Sequence, residues 1–415
     1  MGIRHQSHRE FSSKISKFCN DSMWSILALA LMNIVAQFIL YPFWDKYFGD
    51  EIYGNIIYCL SIINIFAVAI GTAVNYSRMT ESAIRQTYNG DYNIALLTGS
   101  ALSALVSFIA ITYSNFSMSL IDKLLASVLC VLTLWRYYGD VEYRLSLNYK
   151  GYFIYYLIIS LGYLVGLGLF ELTGYWALSL IPGELFGLVL IICKSSLIKI
   201  SPFHISDFYL ENTKRISILV GTNFISNIIF NGDRFLLQIL LGGTAVSVYY
   251  LASLIGKTMT LITTPLNSVI IGYLSKYKRN FSRKLVTLFS LGTLVAIFLG
   301  TLLGYIGSYI VIKILYANSF SSVKPYFLIA TLTQVLYFVT NIVTTVLLRI
   351  ANANCQLIIN VVYAVLFFTL CIPAVQLWGI SGFCFALLLT NLGRYFVAIY
   401  FCYKNADYTN FNQKE

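Results

Sequence analysis

Asn223, Asn227, Asn231, Arg234 and Gln238 recur at steps of four, four, three and four along a stretch that is otherwise apolar. At about 100° per residue they fall within an arc of roughly 80° on a helix, which gives one face a continuous polar stripe. Asp233 stands about 100° to one side of Arg234 on the same count. A carboxylate next to a guanidinium inside an apolar run is expensive unless something solvates both. In a bilayer such a stripe must face protein or a water-filled cavity. The chemistry on offer is therefore an aqueous path, with donors for an anion and a carboxylate able to carry a proton or cation.

Other charges sit deep in apolar runs. They are Glu184, Lys257 and Arg394, and with Asp233 and Arg234 they make the most deeply placed set. An Asp, Lys or Arg at the centre of a membrane helix costs roughly 2.5–3.5 kcal/mol on insertion scales, so accident is a poor account of them. Lys257 belongs to a stripe with Ser253, Thr260, Thr264 and Asn267, and Arg394 lies one turn from Thr390 and Asn391. Lys257, Arg394 and Arg234 are the candidate ligands of an anionic cargo such as a phosphate group, with Arg78 at the mouth of the path. Asp233 and Glu184 are the candidate ion carriers, and Asn223, Asn227, Asn231, Gln238 and Asn391 form the polar path between them. The plainer alternative is that these groups pair with one another and hold helices together, and that Arg78 is a topology signal. Two further stripes, Asn33 with Gln37 and Gln334 with Asn341, are explained as well by interhelical hydrogen bonds.

Nothing here suggests a metal, a cofactor or a catalytic nucleophile. The three histidines are dispersed and the eight cysteines are scattered singly, with no CxxC pair. Gly256-Lys257-Thr258 ends like a phosphate loop, but Leu251 occupies the position of its first glycine, so no nucleotide-driven motor is expected.

The elements that must position these groups follow from composition. The chain has 415 residues, of which 58% are hydrophobic and 11% charged, and its mean hydropathy is +0.74. Soluble domains carry about 25% charged residues, so the expectation is an all-α polytopic membrane protein. A span needs about 20 apolar residues. Twelve such runs are present: 22–42, 53–75, 94–114, 120–138, 152–172, 175–194, 216–240, 246–274, 285–311, 325–347, 357–376 and 380–401. With the N-terminus inside, most of the 28 Lys and Arg fall in cytoplasmic gaps, and the outer gaps hold only Lys46, Lys123, Lys313 and Lys324. That alternation places both termini in the cytoplasm. It also accounts for the net charge of +11 without nucleic acid. The basic run 276–284 reads as a topology and lipid-headgroup signal. The longest cytoplasmic gap, 195–215, divides the chain into two six-helix bundles, 1–200 and 201–415. Phe48-Gly49 followed by Gly54, and Leu241-Gly242 followed by Ser247, suggest an internal repeat of the kind common in secondary transporters.

Asp233-Arg234-Phe235-Leu236-Leu237, then Leu241-Gly242, Ser247-Val248-Tyr249 and Ala252, resemble the span-7 to span-8 signature of bacterial polysaccharide flippases. Ser247 stands where that family most often has glycine. Phe48-Gly49, Tyr53-Gly54 and Gly71 are similar to the family's opening repeat. Leu315-Tyr316-Ala317 and Trp378-Gly379-Ile380-Ser381-Gly382 resemble later landmarks. The resemblance implies a twelve-span transporter of the multidrug/oligosaccharidyl-lipid/polysaccharide (MOP) superfamily in the bacterial inner membrane. It further implies an O-antigen-type flippase, which moves an undecaprenyl-pyrophosphate-linked oligosaccharide to the periplasmic leaflet by alternating access, coupled to a proton or sodium gradient. Membrane lipids, a polysaccharide polymerase and a chain-length regulator are the partners it implies.

Two rivals are carried forward. A multidrug exporter of the same superfamily would favour an acidic cavity for cationic drugs, whereas the in-span balance here is basic. An O-antigen polymerase, a membrane glycosyltransferase, would carry a large periplasmic loop, and every outer gap here is short.

Overall fold

The computed structural model describes residues 20–82, 84–114, 116, 118–195, 197, 201–259, 267, 270, 282–351 and 353–406. Every regular element among them is helical. Apolar runs of this length have no water to satisfy their backbone groups, so they satisfy them internally as helices. The helices are α1 (Asn20–Ser82), α2 (Asn89–Thr112), α3 (Leu120–Leu145), α4 (Tyr149–Thr173), α5 (Ile181–Lys194), α6 (Tyr209–Leu241), α7 (Gly243–Thr258), α8 (Arg283–Leu315), the single turn α9 (Phe320–Val323), α10 (Phe327–Ile350) and α11 (Ala353–Asn405). Seven helical stretches among the described residues are long and apolar enough to cross a membrane.

Local sequence explains the ends. The Ser119 hydroxyl accepts from the Asp122 amide at 3.0 Å and donates to its carboxylate at 2.7 Å, a reciprocal cap that starts α3. Asn148 and Ser282 cap α4 and α8 by accepting from the amides of Gly151 and Leu285. Gly174, at φ 76°, closes α4 in the left-handed conformation. Pro182 stands in the first turn of α5, where its missing N–H costs nothing, so the Pro182-Gly183 step begins that helix and does not open it midway.

Two helices are interrupted internally. α1 breaks at Gly49 (φ 75°) and α11 at Trp378 and Gly379, the latter with φ 58°. At 63 residues α1 would be about 95 Å long if straight, far more than the roughly 30 Å hydrocarbon core of a bilayer. The breaks fall between expected spans 1 and 2, and between 11 and 12. Gly242, at φ 86°, separates α6 from α7 and repeats the Gly49 conformation at the second half of the expected internal repeat.

The chain clusters into two compact units, one comprising residues 1–47 and 55–235 and the other 48–54 and 236–415. The first is centred on fully buried aromatics that include Trp44, Tyr92, Tyr138, Tyr155 and Tyr156. The second is built around Tyr53, Tyr249, Tyr316, Phe327 and Phe383. Within the second unit the two halves of the repeat touch. Gly54 packs so closely on the Gly243 carbonyl that a β-carbon would overlap it, and Ser247 is fully buried. The outward face of α8 is a ladder of exposed Leu291, Leu294, Phe298, Leu302 and Ile306. A face this apolar suits hydrocarbon far better than water.

Candidate functional site

The first unit holds most of the α6 stripe. Asn223 Nδ2 donates to Thr72 Oγ1 at 2.9 Å, and Arg234 donates to Ser61 Oγ at 2.8 Å and to Asn231 Oδ1 at 3.3 Å. Asn227 and Asn231 turn back on the carbonyls one turn earlier, at 2.8 and 2.9 Å. Asp233 is buried, and its Oδ1 accepts from the Arg234 amide at 2.9 Å. The stripe therefore lies along the 55–82 part of α1 and bonds to it. Gln238, further along α6, is buried and belongs to the second unit.

Arg78 is a brace within the first unit. It donates to the Tyr138 hydroxyl and, at 2.6 Å, to Asn89 Oδ1, and its guanidinium lies 5.0 Å from the centroid of Tyr92. Below it, Glu81 is bonded by Arg85 at 2.5 Å and by Arg215, and Arg85 also reaches Glu211 at 3.2 Å. These two carboxylates hold the Arg85 guanidinium above its ordinary pKa, with the Glu81 hydrogen bond the larger influence.

Glu184 meets a partner that the sequence reading did not assign to it. Arg136 Nε lies 2.9 Å from Glu184 Oε2 and 3.0 Å from Oε1, and Tyr163 donates to Oε1 at 2.7 Å. Both side chains of this ion pair are buried. The guanidinium also lies 4.4 Å from the Tyr137 ring centroid. One turn on, Asp140 accepts from Tyr156 at 3.1 Å and Tyr152 at 3.2 Å, with Arg144 at 3.5 Å. Arg136, Asp140 and Arg144 at steps of four on α3, facing Tyr152, Tyr156 and Tyr163 on α4, are a legible stripe. The bias of Lys and Arg toward cytoplasmic gaps carries no sign of it, because that bias registers charge and not helical spacing.

The second unit holds Lys257 and Arg394. Lys257, in the last turn of α7, has its Nζ 6.0 Å from the Tyr249 ring centroid, and the Tyr249 hydroxyl accepts from Gln334 at 3.3 Å. Thr260 and Thr264 of its expected stripe lie outside the described residues, as does most of the basic run 276–284. Arg394 is buried and donates to Asn341 Oδ1 at 3.0 Å, with its guanidinium 4.8 Å from the Tyr337 centroid and 5.3 Å from that of Tyr363. Its Nε and the other terminal nitrogen have no hydrogen-bond partner among the described residues. Asn391 is buried too, donating to the Leu387 carbonyl at 2.9 Å while its Oδ1 receives no donor there. Among the described residues no three His, Cys, Asp or Glu side chains converge as a metal site would require.

No family model matches the sequence, and no curated protein matches it either. Solved structures do. A mutant of the Vibrio cholerae MATE transporter VcmN superposes with a TM-score of 0.65 at 13% identity, covering 95% of this chain and 97% of that one. An inward-facing multidrug resistance MATE family transporter of the MOP superfamily gives 0.65 at 14% identity, covering 91% and 96%. The lipid II flippase MurJ in an inward closed conformation gives 0.62 at 15% identity, covering 92% and 86%. The chain thus has the fold that these multidrug transporters and this lipid flippase share.

Proposed function

We propose that this chain is a flippase that carries a polyprenyl-pyrophosphate-linked oligosaccharide, of the O-antigen repeat-unit type, from the cytoplasmic to the periplasmic leaflet of a bacterial inner membrane. It works by alternating access of two six-helix bundles, with twelve spans, both termini cytoplasmic, and an ion gradient as the driving force. The observation that carries this reading is the stretch between Asp233 and Asp407, which holds twelve Lys and Arg and no carboxylate, with Arg394 buried and Arg234 and Lys257 half-buried in a fold shared with a lipid flippase. Arg78 supports the path by bracing α1 rather than by touching cargo. Glu184 and Asp233 are the coupling carboxylates in this reading, and a proton on Glu184 would dissolve its ion pair with Arg136. A polymerase and a chain-length regulator would act on the product.

A MATE-type multidrug exporter is the second reading, favoured by one observation. The chain spans nearly the whole of the MATE transporters it superposes on but 86% of the lipid II flippase.

Complementation tests the two. Deleting the gene in its host should abolish surface polysaccharide and leave lipid-linked single units inside the cell. Wild type should clear them, while Lys257→Ala and Asp233→Asn should not. Single units that reach the periplasm but fail to chain together would indicate a polymerase. Normal polysaccharide with raised drug sensitivity would indicate the exporter.

A further inference from the structure

We infer that the two arms of α11 form a groove for a methyl-branched hydrocarbon chain, the isoprenoid tail of the cargo. That the tail belongs to the cargo rests on the flippase reading above, while the groove itself stands on α11 alone.

The groove runs between the arm that ends at Trp378 and the arm that begins after Gly379. Its volume is about 560 Å³, which lies within the range of ligand pockets. The walls are the exposed side chains of Leu377, Trp378, Phe385 and Leu389. The floor is made of small residues, with Gly382 and Ala386 buried and Ala374 half-buried. Backbone contact sets that floor, since a β-carbon on Gly382 would overlap the Ala374 carbonyl.

Charge and hydrogen bonding exclude most occupants. Between Arg349 and Arg394 the sequence holds no Asp, Glu, Lys or Arg, so the lining offers no counter-charge to a cationic drug or to a phosphate. Its two hydroxyls are used within the chain. Thr369 Oγ1 donates to the Val365 carbonyl at 2.8 Å, and Ser381 Oγ to the Tyr326 hydroxyl at 3.5 Å. What fits is hydrocarbon. α11 is long and apolar enough to cross a membrane, and a groove on its lipid-facing side is filled by chains because no water is there to fill it.

Apolarity does not choose between chains, since lipid tails are as apolar as leucine. Shape does choose. Gly382 and Ala386 stand one helical turn apart, about 6 Å, and leave notches between the large wall residues. An isoprenoid has side methyls to place in them. A straight acyl chain leaves the notches empty and forfeits their dispersion contacts. At the end away from the break, Leu389 stands five residues before Arg394, a rise of about 7.5 Å. A pyrophosphate held by Arg394, as in the flippase reading, therefore has the groove within reach of its attached chain.

The test uses the purified full chain in nanodiscs of saturated phosphatidylcholine. The probe is farnesyl pyrophosphate with a photoactivatable diazirine on its chain. The rival is phosphatidylglycerol with the same group on one acyl chain, and cross-linked peptides are mapped by mass spectrometry. The isoprenoid should label residues 369–389 saturably and be displaced by plain farnesyl pyrophosphate. Ala386→Phe fills the floor and should lower that labelling about tenfold or more, as a methylene-scale misfit in an apolar pocket does. Leu294→Trp, on the exposed ladder of α8, should leave it unchanged. If Ala386→Phe does not fold, Leu389→Ala decides, because it removes an exposed wall, and labelling should again fall. Labelling that ignores both groove substitutions would overturn the isoprenoid groove. So would acyl labelling of the same residues that is as strong and as sensitive to Ala386→Phe. Ala386-dependent isoprenoid labelling of a chain whose deletion strain keeps its surface polysaccharide would leave the groove standing and end the flippase reading. Normal flipping by Ala386→Phe, with no labelling of the groove in wild type, would do the reverse.

Discussion

At the scale of residues, buried charge in this protein follows two opposite patterns. Arg136 and Glu184 satisfy one another within 3.0 Å, with Tyr163 completing the carboxylate's shell. Removing one partner strands the other, so Arg136→Leu or Glu184→Leu alone should cost about 3–5 kcal/mol. The double replacement should recover most of that loss, since an apolar pair of similar volume is often neutral or better. Chemical unfolding of the four proteins in one detergent measures the coupling, and additive single effects would contradict it. The cluster of Glu81 with Arg85, Arg215 and Glu211 is of another kind, because Glu211 is exposed and Arg215 half-exposed. Glu81→Gln should lower the melting temperature at low salt and matter much less at about 1 M salt, where the Debye length is about 3 Å. Equal losses at both salt concentrations would show that Glu81 acts by packing and not by charge. Arg394 follows neither pattern: it is buried, it donates to Asn341, and its Nε and one terminal nitrogen have no hydrogen-bond partner among the described residues.

At the scale of elements, most helices follow from apolar run length and cap chemistry, and the sequence shows both plainly. The polar stripe of α6 was legible from its spacing, and so was the punctuation at Gly49 and Gly242. The Arg136–Glu184 pair was not, because hydropathy marks where a run stops being apolar, not where its helix ends. α3 continues past residue 138 to Leu145, so Arg136, near the end of the expected run, stands well inside the helix, with Asp140 buried one turn further on. Nor could spacing within one helix reveal that the stripe of α6 would bond along α1. Gly54 offers an element-scale test. A side chain there meets the backbone of Gly243, which cannot swing aside as a flexible side chain would. Gly54→Val should therefore destabilise the protein by about 1–3 kcal/mol, in the range of other overpacked cores. Gly168→Val, at a helical glycine with open space around it, is the matched control. Equal melting temperatures for the two variants would contradict the close packing of the repeat halves.

At the scale of the whole molecule, a fold shared by drug exporters and a lipid flippase leaves the cargo to be decided by chemistry. The chemistry here is basic. Between Asp233 and Asp407 stand twelve Lys and Arg and no carboxylate, and the proposed reading takes two of them, Lys257 and Arg394, as ligands of a phosphate group. The most direct measurement is translocation in proteoliposomes containing the purified chain and a fluorescent polyprenyl-pyrophosphate-linked oligosaccharide, with an ion gradient imposed. The accessible fraction of label is followed with a membrane-impermeant quencher, and a cationic dye is run in parallel. The account predicts gradient-dependent movement of the lipid-linked saccharide, slowed about tenfold or more by Lys257→Ala if that charge contacts the pyrophosphate, with no dye transport. Dye exchange driven by the gradient, with the saccharide left in its original leaflet, would contradict it.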